Sequence, residues 1–114
     1  MPHHHTVLVN RIGDGIALIS PGARLDNDNA SDMSRAISAA QSDGIVDIRI
    51  DMSELQLLSS AGIGSILGAI EISREAGGDI TIWNVPEKIN AVLEMLDLHE
   101  YLTVRTGEVG QLNA

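Results

Sequence analysis

The spacing of apolar residues changes period along the chain. Residues 6–12, TVLVNRI, and 15–21, GIALISP, are short β-rich runs joined by GDG at 13–15. Glycines flanking an aspartate between two such runs predict a β-hairpin. In IVDIRIDM, 45–52, Ile45, Asp47, Arg49 and Asp51 alternate with Val46, Ile48, Ile50 and Met52. A period of two puts these sets on opposite faces of a strand. ITIWNV, 80–85, predicts another strand, and YLTVRT, 101–106, a last short one.

Between the strands the spacing is helical. Ala30, Met33, Ile37 and Ala40 share one face of a helix over 30–42, preceded by the Asp/Asn cluster LDNDNASDM and followed by Gly44. Asn27, Asp28 and Asn29 are expected to cap its start, with Asp26 left over, and a glycine suits the left-handed turn past a helix end. SELQLL then reads as a loop with apolar anchors at Leu55, Leu57 and Leu58. From Ser60 a second helix carries Ile63, Ile66, Leu67 and Ile70 on one face, and AGGD at 76–79 ends it. Pro86 stands where a first helical residue is favoured, and Ile89, Val92, Leu93 and Leu96 form a third stripe. Residues 1–5 and 107–114 read as loose tails.

The order β-β-α-β-α-β-α, with a final β, predicts one α/β domain over 1–114. Strands alternating with helices imply right-handed crossovers. The sheet is therefore mixed and mostly parallel, with an antiparallel N-terminal β-hairpin at its edge and helices packed against it.

Composition narrows the chemistry. The chain has 114 residues, 44% of them hydrophobic, but no Phe, one Trp and one Tyr. A domain of this size buries roughly two-thirds of its unfolded surface, here with an aliphatic core. The absence of Cys removes disulfides, thiol catalysis and zinc–thiolate sites. A net charge of −9 opposes binding to nucleic acid and to an anionic membrane surface, and favours a basic or neutral partner. No apolar run reaches the ~18 residues of a membrane span, and MPHHHTVLVN lacks the pattern of a secretion signal. The expected location is the cytoplasm. His3, His4 and His5 read as a polar tail or the remnant of a purification tag, and His99 has no assigned role.

Several motifs fail on spacing. GIGSILG, with Gly62, Gly64 and Gly68, follows a strand and opens a helix as a dinucleotide fingerprint does. The acid needed near the end of the next strand is absent, since Asn84 stands there, and six loop residues and two serines intervene. The alternative is structural: small residues at Ala61, Gly64 and Gly68 let the helix approach the sheet. DNDNASD puts Ser31 and Ile37 where a calcium loop needs Gly and a bidentate acid. No histidine lies near a serine motif to act as its base. The expectations are a protein that is not an enzyme, with no cofactor and no metal.

SSAG, at 59–62, remains. A serine at a helix start is an ordinary cap, but it also stands where a phosphate meets free amides and the positive end of the helix dipole. The run IRIDMSELQLLSSAGIGSILGAI, 48–70, resembles the signature region of STAS domains, typified by bacterial anti-sigma-factor antagonists. That family has a strand, a loop, then Asp-Ser-Ser/Thr-Gly-Leu-Gly and a helix. GARLDNDNA, 22–30, is similar to its Gly-x-Leu-Asp turn with one extra residue, and AVLEMLDLHEYLTV, 91–104, to its C-terminal helix. The resemblance covers about residues 6–106 and the element order agrees with it.

The resemblance implies that Ser60 is the phosphoacceptor, and that Asp26, Ser59, Ser60, Ala61, Gly62 and Gly64 meet the partner. Two positions depart from the family: Ser59 replaces its Asp, and Ala61 its Ser/Thr. The implied function is binding to an anti-sigma factor that is also a serine kinase, freeing a sigma factor. Phosphorylation of Ser60 ends the binding and a phosphoserine phosphatase restores it. An alternative is a STAS scaffold subunit of a stress-signalling complex or a transporter accessory, without a switch. Another is a nucleotide or small-lipid binder using the glycine-containing helix start.

Overall fold

The computed structural model describes residues 7–111; His3, His4, His5, the expected tail 1–5 and residues 112–114 lie outside them. The predicted hairpin forms from β1, Leu8–Ile12, and β2, Ile16–Ser20, with Leu8 opposite Ser20 and Ile12 opposite Ile16. Gly13 takes the left-handed conformation (φ 58°) that the tight turn requires. Two further strands are β3, Arg24–Leu25, and, after helix α1, Ala30–Ser42, β4, Asp47–Asp51. Then come β5, Leu57–Leu58, α2, Ser60–Glu75, β6, Asp79–Trp83, α3, Glu87–Met95, and β7, Thr103–Arg105.

The main sheet has the order β1-β2-β4-β6-β7, antiparallel only between β1 and β2. This is the predicted mixed, mostly parallel sheet with a hairpin edge. Every other strand residue enters one aliphatic core: Ala17 and Ile19 from β2, Ile48 and Ile50 from β4, Ile80 and Ile82 from β6. Met33, Ile37 and Ala40 of α1, Ile63, Ile66 and Ile70 of α2, and Ile89 and Leu93 of α3 complete it. These are the helical stripes of the sequence, except that Ala30 and Leu67 are half-buried and Val92 and Leu96 are exposed.

The alternate residues of β4 and β6 line the other face, and the structure finds order there that the pattern did not predict. Arg49 is only 3% exposed although it alternates with the core isoleucines. Its guanidinium pairs with Asp47 through Nε and Nη2 and lies over the Trp83 ring, 5.3 Å from the centroid. Nη1 donates to the carbonyls of Val109 and Gln111. Asn84 exchanges two hydrogen bonds with the backbone of Gly107. Of the stretch expected as a loose tail, residues 107–111 are fastened across the sheet, because a buried guanidinium has more donors than Asp47 can accept and the returning backbone takes Nη1.

The loop read at SELQLL also differs. Leu57 and Leu58 pair in parallel with Arg24 and Leu25, forming a two-stranded ribbon apart from the main sheet. Two residues are too few for a period to show. Beside β7, Tyr101 donates to Glu71 of α2 at 2.9 Å, which raises the pKa of its hydroxyl above 10.

Candidate functional site

The ribbon of β3 and β5 sets the geometry. Leu25 stands opposite Leu58, so Asp26 and Ser59 leave the two strands side by side. Ser59 N–H then donates to the carbonyl of Leu25 at 3.0 Å, fixing where α2 begins. Asp26 is buried, and each of its oxygens has a task. Oδ1 accepts from the amide of Asp28 at 3.0 Å, and Oδ2 accepts from Arg24 at 2.8 and 3.0 Å. The expectation that Asp26 is spare is thus overturned: it organises the turn.

The expected capping of α1 by Asn27, Asp28 and Asn29 is corrected too. Asn29 occupies the cap position but makes no side-chain bond to the helix. Its Oδ1 accepts from Asp26 N–H at 3.0 Å, and its Nδ2 donates to the carbonyl of Arg24 at 2.8 Å. The backbone does the capping: Asp26 C=O accepts from Ala30 N–H at 2.9 Å. A side chain fully buried against a turn of polar backbone satisfies that turn first.

At α2 the two serines divide. Ser59 is the cap, extended at φ −98°, ψ 170°, with Oγ accepting from Gly62 N–H at 3.1 Å. Ser60 is the first helical residue and is exposed. Among the described residues no hydrogen bond involves its hydroxyl, its amide or the amide of Ala61. An open hydroxyl thus stands beside two unfilled donors at the positive end of a 16-residue helix.

The glycine expectation moves by one position. Gly64 and Gly68 have open space around them, and Ala61 is exposed. Gly62 is the residue that permits close approach: a β-carbon there would strike the carbonyl oxygen of Leu25 and come within 2.8 Å of its carbon. Gly64 and Ala61 instead border a shallow groove between α1 and α2 with Ser31, Ser34, Arg35 and Ser65. On the opposite side of Ser60 a small apolar cleft is lined by Leu58, Ile63, Val92 and Leu96. All six predicted site residues thus gather around one end of α2. Arg24, Asn29, Val92 and Leu96 were not anticipated. The polar pair Arg24 and Asn29 flanks Asp26 at positions −2 and +3, the spacing of a self-bonded turn.

The STAS domain model matches residues 8–109. The chain belongs to the STAS domain family. An anti-sigma F factor antagonist of Paenibacillus polymyxa is 29% identical to this STAS domain over 117 residues, covering 98% of this chain and 89% of that protein. Two solved structures share the fold. The unphosphorylated form of the anti-sigma factor antagonist SpoIIAA superposes with a TM-score of 0.76 at 17% identity, covering 87% of each chain. The phosphorylated form of SpoIIAA, a Bacillus cell fate determinant, superposes with a TM-score of 0.70 at 18% identity, covering 87% of this chain and 90% of that one. Among the described residues no helix is long and apolar enough to cross a membrane.

Proposed function

We propose that this STAS domain is a non-catalytic anti-sigma-factor antagonist of the cytoplasm, switched at Ser60. Unphosphorylated, it docks on an anti-sigma factor that is also a serine kinase, and a sigma factor is released. The kinase brings ATP. The Ser60 oxygen attacks the γ-phosphorus, ADP leaves, and the hydroxyl proton passes to a base of the kinase. The added charge of about −1.5 to −2 then alters the docking face without refolding it. A phosphatase hydrolyses the ester and restores docking. Asp26, Ser59, Ala61, Gly62 and Gly64 frame the contact.

The observation that carries this reading is the division between neighbouring serines. Ser59 does the structural work, so the Ser60 hydroxyl is free to react. Ser59 in place of the family acid fits the same reading, because serine and aspartate cap helices about equally well; what changes is one negative charge beside the acceptor. The curated relative's name supports antagonism. SpoIIAA, solved with and without phosphate, supports a fold that tolerates modification.

The test is incubation with an anti-sigma serine kinase and ATP, with the phosphate mapped by mass spectrometry. Modification is expected at Ser60, retained in Ser59→Ala and abolished in Ser60→Ala. A Ser60→Ala protein that still takes up the same phosphate removes Ser60 from the scheme.

A further inference from the structure

The polar side of this face is matched by an apolar side where the core, at Ile63 and Leu58, reaches the surface. Large hydrophobic residues left exposed include Leu57, Val92, Met95 at 83% and Leu96 at 54%. Val92 of α3 and Leu96, the residue that ends that helix, are four residues apart and so lie on the same side of it. With Leu58 at the end of β5 and Ile63 one turn into α2, they wall a cleft closed by Ser59 and Ser60. Four aliphatic walls offer nothing to an ionic ligand and accommodate one apolar side chain.

Two observations choose the occupant. The cleft and the Ser60 hydroxyl are one continuous surface, so a protein covering one covers the other. The net charge of −9 opposes a second copy of this chain and favours a basic partner. We propose that the cleft is a socket for one aliphatic or aromatic side chain of the protein that docks over Ser60, and that phosphate on Ser60 closes it. This rests on the docking reading above and adds a mechanism. An anchor entering the socket would strip water from a dianion on its rim, at a cost that geometry imposes whatever the long-range field. Closure by dehydration is short-ranged, so salt should not relieve it. Simple charge repulsion is screened, with a Debye length of about 10 Å at 0.1 M and about 3 Å at 1 M.

Three measurements test it. First, the methyl-labelled chain is titrated with isobutanol as a neutral probe of the socket. The Leu58, Ile63, Val92 and Leu96 methyls should shift and saturate together; shifts no larger than at Ile72, which is exposed on α2, overturn the socket. Second, Val92→Ser and Leu96→Ser are presented to the kinase that modifies the wild-type chain, with circular dichroism confirming the fold. Losing a buried anchor contact should lower phosphorylation kcat/KM about tenfold, and Ile72→Ser should leave it unchanged. Wild-type rates in both cleft variants overturn the socket while the docking reading stands. Failure of the wild-type chain itself to be modified by any anti-sigma kinase removes both. Third, Ser60→Glu should weaken docking by the same factor at about 0.1 M and about 1 M salt; recovery at high salt overturns closure by dehydration.

Discussion

The two helix starts that meet at the β3–β5 ribbon are built from similar polar residues and use them in opposite ways. At α1, Asn29 is fully buried and ties the backbone of Arg24 to that of Asp26, while Asp26 holds Arg24 and Asp28. At α2, Ser59 alone supplies a side-chain cap, to the Gly62 amide, and the next residue is left open. The first start is consumed by the fold; the second keeps a hydroxyl and two amides in reserve. A residue available for regulation is thus one whose side chain the fold does not need, and the two starts should respond differently to substitution.

The contrast can be tested by urea denaturation of four variants. Gly62→Ala should be the most damaging, at about 3 kcal/mol, because a methyl group must displace the Leu25 carbonyl that fixes the start of α2; a loss under about 0.5 kcal/mol would mean that the ribbon yields freely. Asn29→Ala should cost about 2 kcal/mol, since it leaves a buried N–H and a half-buried C=O without their partner. Ser59→Ala removes one cap bond, for about 1 kcal/mol. Ser60→Ala should change stability by less than about 0.5 kcal/mol while abolishing phosphorylation. If Ser60→Ala proved more destabilising than Ser59→Ala, the roles of the two serines would have to be exchanged.

Much of this architecture was legible in the sequence because periodicity records burial on regular elements. The α1 stripe of Ala30, Met33, Ile37 and Ala40 predicted a helix over residues 30–42, and the same bounds are observed. The alternation in β4 gave Ile48 and Ile50 to the core. The same alternation misled at Arg49, which is polar, faces away from the helices and is nonetheless buried. Its cover comes from residues 107–111, about sixty positions away, and no local pattern encodes that. The β3–β5 ribbon was missed because two-residue strands carry no period. The candidate site was legible as a motif, through Asp26, Ser60 and the neighbouring glycines, but not as a division of tasks. Which serine caps depends on where the Leu25 carbonyl meets the chain, and that follows from the ribbon.

The stacking of Arg49 on Trp83 has a practical consequence. Trp83 is the chain's sole indole, and it lies beneath the guanidinium that clamps Val109 and Gln111. Its emission is therefore a built-in optical gauge of how firmly residues 109–111 are seated. Since this chromophore faces away from the helices, events at Ser60 can be followed with an added label while the intrinsic signal independently monitors the rest of the domain.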